Sequence, residues 1–337
     1  MDTLLPTTVV GSYSVPEWLE RLKTEYYQRR ISAQHLAEIH EVAIKAAVKD
    51  QELAGIDIVS DGELRRDNDV DYFLARLPGV HIPQRGKTDY FDYYDAEVTR
   101  PLPDGTYPGL DLAADFRFTR QLTRLPVKFS FTGPFSLSRR IRDGAYDKPG
   151  DLVRALARRL NVEARELAEA GAGFLQIDEP FLAGYPEHAE LAVEAVNMVT
   201  DGVSATWALH VCYGNRYARP SWEGHYDFLF PAVQAARVAQ LVLEYARKGL
   251  EDLRLLHEWD RRLGFGVSDV KTPAVETPEL VAERIRRALE YGPADRLRIN
   301  PDCGLRHLPP EAARAKLRAM VAGAAMVRTE LTGGDTT

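Results

Sequence analysis

Residues 173–180 read GFLQIDEP and residues 206–214 read TWALHVCYG. Each is apolar in its first half and closes on residues that are polar or turn-forming, the pattern of a short strand buried on both faces and ending at a loop. Between the two lies a stretch long enough for one helix. Six more segments share the design: TTVVGS (7–12), IDIVSDG (56–62), VKFSFTGP (127–134), QLVLEYA (240–246), GFGVSDV (264–270) and RLRINPDCG (296–304). Helical patterns separate most of them, such as DLVRALARRLNVEARELAEAGA (151–172) and TPELVAERIRRALEYG (277–292). The second begins with Thr-Pro and ends at Gly, the expected start and stop signals. PPEAARAKLRAMVAGAAMVR (309–328) forms a last helix. Eight strand–helix units predict a single (β/α)8 TIM barrel over residues 1–337, with functional residues at the C-terminal ends of the strands. A doubly wound open sheet fits less well, because no glycine-rich dinucleotide fingerprint follows the first strand. Residues 74–126 are too long and irregular for a simple connection. They are expected to form an insertion over the barrel mouth, partly a hairpin through PDGTYPG (103–109).

Composition narrows the setting. The 337 residues are 45% hydrophobic, enough for a large core, and the net charge of −7 offers no basic footprint for nucleic acid or an anionic membrane. No apolar run is long enough to span a bilayer, and the first residues lack the pattern of a signal peptide. Two cysteines cannot build a disulfide framework, so the expected compartment is the cytoplasm.

Both cysteines fall at strand ends. His210 and Cys212 are two residues apart near the end of the fifth strand, and period two puts both on one face. Cys303 ends the eighth strand and Glu244 the sixth. In a closed barrel these ends ring one mouth, and one imidazole, two thiolates and one carboxylate suit zinc. The plain alternatives are a small buried cysteine, a hydrogen-bonded histidine and, for Glu244, a charge on a helix face. Two further strand ends are acidic. Asp61 and Glu179 read as helix caps, whereas Glu63 and Asp178 could hold an ammonium group between two carboxylates.

Taken in order, PTTVVGS, DGELRRDNDVDYF, TGP, QIDEP, HVCYG and NPDCGL resemble the C-terminal catalytic barrel of cobalamin-independent methionine synthase, from about Pro6 to Arg328. The resemblance implies zinc (Zn2+) on His210, Cys212, Glu244 and Cys303, and homocysteine as substrate. The homocysteine would be held by backbone of Val10, Gly11 and Ser12 and by the carboxylates of Glu63 and Asp178. A zinc-bound thiol is deprotonated and can attack an electrophilic methyl group.

The sequence also departs from the folate-dependent members. The N-terminal half of the full-length enzymes has no counterpart in it. Arg140 stands where they stack a tryptophan on the pterin, Gly184 where they use an acid, and Lys271, in SDVKTP, where they have a histidine proton donor. A methyl-folate leaving group needs acid assistance, and a lysine with a pKa of about 10.4 is a weak acid at neutral pH. Lys271 is therefore a candidate catalytic group poorly matched to that task. The departures resemble the short "core" methionine synthases. They favour methylcobalamin, or a methylated corrinoid protein as partner, over methyltetrahydrofolate as donor. Two other readings remain at this point: an epoxyalkane:coenzyme M transferase-like enzyme, whose sulfonate substrate would want Arg or Lys, and a non-catalytic zinc-binding barrel.

Overall fold

In the computed structural model, which describes residues 3–103, 109–148 and 150–333, the first barrel strand pairs at only two residues. Thr7 bridges Ile299 in parallel and Thr8 bridges Ile58; Val59 then bridges Val127. These contacts close a ring whose remaining six strands form one parallel sheet. In chain order the strands are β1 (Ala96–Val98), β2 (Phe129–Thr132), β3 (Ile141–Asp143), β4 (Phe174–Asp178), β5 (Thr206–Val211), β6 (Gln240–Leu243), β7 (Arg262–Gly266) and β8 (Leu297–Asn300). The six-stranded sheet runs β2-β4-β5-β6-β7-β8. With the segments at Thr7–Thr8 and at 58–59 it makes the eight-stranded (β/α)8 barrel expected from the sequence.

Helices α1 (Glu17–Tyr27) and α2 (Ala33–Ala54) follow the first strand position. Ser32 caps α2 by accepting a hydrogen bond from His35 N, and Gly55 ends it at φ 82°, a left-handed conformation that glycine adopts without a Cβ clash. The short α3 (Asp71–Leu74) and α4 (Leu112–Leu122) follow the second position, and α5 (Pro134–Ser138) and α6 (Asp151–Glu169) follow β2. Then come α7 (Ala189–Thr200), α8 (Pro278–Leu289) and α9 (Pro310–Leu331). Thr277 caps α8 with Pro278 in the first turn, as the Thr-Pro pair predicts. The units after β5 and β6 depart from the expected alternation, carrying only 3-10 turns, such as Tyr226–Leu229 and Glu251–His257.

The expected insertion at 74–126 contains structure of two kinds. Its last part is α4, which packs against α2 and α6 as an ordinary barrel helix, so the irregular stretch is shorter than its composition suggests. Its amphipathic run, LAADFRFTRQL, buries Leu112, Ala113, Phe116 and Thr119 on one face. Upstream, β1 pairs in parallel with β3 and bridges His81. Residues 104–108 of the expected hairpin turn lie outside the described residues.

Because the closing seams carry so few backbone bonds, Asp57 bears much of the closure. Its Oδ2 accepts from Thr7 N at 2.7 Å, from Thr7 Oγ1 at 2.8 Å and from Arg328 of α9 at 2.7 Å. Arg328 also donates to the carbonyls of Leu4 and Leu5. Asp57→Ala should therefore cost about 2–3 kcal/mol, since it leaves a guanidinium and a backbone N–H without their charged acceptor. Asp201→Ala removes only an exposed pair with Arg237 and should stay within about 0.5 kcal/mol. Urea unfolding of the two variants beside the parent measures the difference. Equal losses would mean that Asp57 does not hold the seam.

Candidate active site at the barrel mouth

The register of the sheet sets three strand ends level. Thr132 on β2 pairs with Asp178 on β4, which pairs with His210 on β5. Just beyond these ends lies a cavity of about 230 Å³. Val10, Gly11, Ser12, Glu63, Asp178, His210, Cys212 and Cys303, eight of the ten site residues expected from the sequence, line it. Glu244 and Lys271 do not.

His210 is buried, and its Nδ1 lies 3.0 Å from the Val242 carbonyl on β6. That contact makes Nδ1 the donor to this carbonyl and turns Nε2 toward the thiols. Nε2 faces Cys303 Sγ at 3.6 Å, and Cys303 Sγ is 3.5 Å from Cys212 Sγ. The three donor atoms lie within 4.8 Å of one another, close enough to share one ion. The hydrogen bond with Cys212 draws Cys303 well below the ordinary thiol range, with His210 adding to the effect. The same bond, with burial, pushes Cys212 well above it. Two buried thiolates cannot stand side by side without a cation.

The loop bearing Cys303 is anchored by a residue that sequence reasoning missed. Asp302 is fully buried, and its carboxylate accepts from Tyr245 N (3.0 Å), Ala246 N (2.8 Å) and Arg247 N (2.8 Å). This ties the segment after β8 to the segment after β6. Tyr226 is a second clamp: its hydroxyl donates to the Val211 carbonyl and accepts from Glu244 N, both at 3.0 Å.

Glu244 stands apart from the three-donor group. It sits at the strand end, not on a helix face, and it is fully buried. Its Oε1 accepts from Lys271 Nζ at 2.7 Å and Tyr213 N at 3.2 Å, while Oε2 has no hydrogen-bond partner. Burial raises the Glu244 carboxyl to about 7 against the pull of Lys271. Lys271 gives the reciprocal picture. Burial opposes its charge, yet Glu244 and the nearby cysteines hold its pKa above the ordinary value. An ammonium so held is a poor acid.

The acidic side of the cavity is built on two close approaches. Glu63 adopts φ 56°, stabilised by its N–H to Asp61 Oδ1 at 2.9 Å. Asp61 thus serves a turn and caps no helix, while Glu179 accepts from Phe135 N and Ser136 N of α5, a helix that precedes it in the chain instead of the following one expected. Glu63 Oε1 accepts from Ser130 Oγ at 2.7 Å and pairs with Arg66 at 3.1 Å. A Cβ on Gly11 would collide with that carboxylate oxygen and come within 2.7 Å of Ser130 Oγ. Asp178 accepts from Gln176 Nε2 at 2.6 Å, and Gln176 Oε1 accepts in turn from the buried Lys128 at 2.7 Å. Burial pushes Asp178 up to about 7. The Val10, Gly11 and Ser12 carbonyls accept from Gln176, Ser60 and Leu305, while the Gly11 and Ser12 N–H groups have no acceptor among the described residues.

Two of the sequence departures acquire a physical setting. Any side chain at position 184 would run into the indole of Trp222, which also lines the cavity. Arg140 lines the cavity too, its guanidinium 4.2 Å from the Tyr93 ring centre. Tyr93, Phe91, Phe181 and Trp222 give the cavity aromatic walls that no strand-end motif announces.

The fold and cavity together define a (β/α)8 barrel protein with a nitrogen- and sulfur-donor cluster at the C-terminal ends of its strands. The family model of the cobalamin-independent synthase catalytic domain matches residues 5–326. The chain belongs to this family. Among curated relatives, the methionine synthase of Sulfurisphaera tokodaii is 34% identical over 98% of this chain and 95% of its own length. That of Thermococcus kodakarensis is 36% identical over 97% and 95%. Among solved structures, a B12-independent methionine synthase from Shewanella sp. W3-18-1, in complex with selenomethionine, superposes with a TM-score of 0.85 at 28% identity, covering 98% of this chain and all of that one.

Gly11→Ala should destabilise the protein by about 1–3 kcal/mol, the usual cost of forcing an atom into a filled site. In the Gly11→Ala/Glu63→Ala double variant the cost of the added methyl should shrink, because one of the two colliding groups is gone. A thermal-unfolding cycle over the four proteins tests this, and strict additivity would count against the contact.

Proposed function

We propose that the chain is a homocysteine S-methyltransferase that forms methionine with the help of zinc. The observation that carries this is the meeting of His210, Cys212 and Cys303 with Glu63 and Asp178 in a single cavity. The donor set suits zinc: one imidazole nitrogen turned toward the thiols, two sulfurs 3.5 Å apart, and a buried carboxylate oxygen, Glu244 Oε2, that accepts no hydrogen bond. His210, Cys212 and Cys303 would hold the ion, with Glu244 the fourth ligand by family resemblance. When bound, zinc supplies the positive charge that keeps both cysteines, and a substrate thiol, deprotonated.

The chain's own groups do the rest. Asp178 and Glu63 bind the substrate ammonium; the two contacts to Glu63 both fall on Oε1. The unengaged Gly11 and Ser12 N–H groups suit the substrate carboxylate. The selenomethionine bound by the Shewanella protein, an amino acid of the product's shape, supports the same reading. Lys271 is committed to Glu244 and lies off the cavity, so it positions that carboxylate and is not the proton donor.

Two observations bear on the donor. The family and the Shewanella protein are described as cobalamin-independent or B12-independent, which favours a methyl-folate, and no comparison supports a corrinoid carrier partner. The corrinoid donor expected from the sequence stands as the second reading. It is favoured by Trp222 closing off position 184 and by a Lys271 unsuited to protonate a folate nitrogen. Methionine formation from homocysteine, with methyltetrahydrofolate and methylcobalamin offered at matched concentration, decides between them. Turnover with coenzyme M in place of homocysteine, or none with any thiol, would overturn the proposal.

Cys212→Ser or Cys303→Ser should lose zinc, measured by metal analysis, while the circular dichroism spectrum of the barrel persists. Full retention by both would remove the metal assignment. Asp178→Asn should weaken homocysteine binding by about 2–4 kcal/mol, a few tens- to several hundred-fold, with zinc content unchanged. Calorimetric titration reads this directly, and an unaltered affinity would refute the ammonium site.

A further inference from the structure

Two arginines on the cavity wall have no counter-ion among the described residues. Arg140 follows α5, and Arg216 lies in the loop after β5. Both line the cavity, and both guanidiniums lie against the same ring, Tyr93, at 4.2 and 4.7 Å from its centre. Their guanidinium carbons are therefore no more than about 9 Å apart. Neither side chain meets a carboxylate or carbonyl among the described residues, and Arg140 Nε is buried without a hydrogen-bond partner. The neighbouring Arg306 is the contrast. It lines the same cavity, but its guanidinium is spent on the carbonyls of Arg66, Asp67 and Glu63.

The surroundings hold the pair in place. Tyr93 is fixed by its hydroxyl, which donates to Asp69 Oδ1 at 2.7 Å, so that carboxylate is already engaged. Arg216 is set by a tight turn in which its N–H and carbonyl exchange hydrogen bonds with Arg219. The two residues between, Tyr217 and Ala218, both take positive φ, 52° and 57°. Such turns ordinarily use Asn and Gly, so the chain accepts backbone strain here. Tyr217 then packs edge-on against Phe91 and tilted against His307, next to the arginines. Two guanidiniums with free donors, stacked on one aromatic ring and facing a cavity, make a fork for planar anionic oxygens.

We propose that Arg140 and Arg216 form an anion clamp that binds an anionic oxygen group of the methyl donor, separate from the groups that bind homocysteine. This rests on the methyltransferase reading given above. The shared chemistry is a carboxylate, as on the glutamate tail of a folate, or a phosphodiester, as on the nucleotide loop of a corrinoid. The clamp would fix the donor while Glu63, Asp178 and the Gly11–Ser12 backbone fix the acceptor.

The test uses the zinc-loaded full chain, Arg140→Met, Arg216→Met and the double variant, with methionine keeping most of the aliphatic packing. Calorimetric titration with tetrahydrofolate triglutamate, hydroxocobalamin and inorganic pyrophosphate reads anion binding without turnover, and homocysteine is titrated in parallel. The expected result is at least a tenfold loss of affinity in each single variant for pyrophosphate and for one of the two cofactor probes. Homocysteine affinity should stay within twofold, and Arg216→Lys should recover part of the loss. A response to the triglutamate identifies a carboxylate tail; a response to hydroxocobalamin identifies the phosphodiester. The clamp is refuted if the parent binds none of the three probes, if the variants bind them as the parent does, or if only homocysteine binding changes. Pyrophosphate and cofactor binding lost in the variants of a chain that methylates no thiol would keep the clamp and overturn the methyltransferase reading.

Discussion

The barrel is closed where it is weakest. The first two strand positions pair through single bridges, because each must leave the ladder almost at once to send Val10–Ser12 and Glu63 into the mouth. The missing backbone bonds are offset by a side-chain junction in which Asp57 gathers Thr7 and Arg328, joining the first strand, the second strand position and the last helix. The geometry of the site depends on that junction, since the acceptor side of the cavity hangs on the two segments it fixes.

Charge is the second constraint. The mouth buries a hydrogen-bonded thiol pair, a carboxylate at Glu244, another at Asp178, and below them Lys128, whose pKa burial lowers to about 7. Each group has a partner for only part of its hydrogen-bonding capacity. Such an arrangement is costly by itself and becomes favourable when cations enter. On the proposed reading, zinc answers the sulfurs and the Glu244 oxygen that accepts no hydrogen bond, and the substrate ammonium answers Asp178. Asp302 and Tyr226 contribute no donor to the site, yet they hold the segments after β5, β6 and β8 in register, which is why His210, Cys212 and Cys303 converge.

Much of this is legible in the sequence. Eight apolar runs ending in polar residues fix the strand count, because a strand covered on both faces must be apolar until it reaches the mouth. The order of the runs then puts both cysteines and His210 at one end, as any parallel barrel must. Chain order, however, cannot say how far each side chain stands from the others. Glu244 ends a strand as neatly as His210 does and Lys271 follows another in the loop after β7, yet the two pair with each other. A carboxylate and an ammonium brought to within 2.7 Å out of water have more to gain from each other than from an empty cavity. The aromatic walls were illegible for a similar reason: Tyr93, Phe181 and Trp222 come from loops without periodicity, and only the packed fold brings them together. Position 184 shows the same limit. A lone glycine in sequence signals nothing, and only the indole of Trp222 against it gives the reason for its smallness. Sequence by itself determined the barrel and the chemistry at its rim, because burial dictates pattern. Tertiary structure decided which of those groups share a cavity, because distance across a barrel is set by closure and register, not by spacing along the chain.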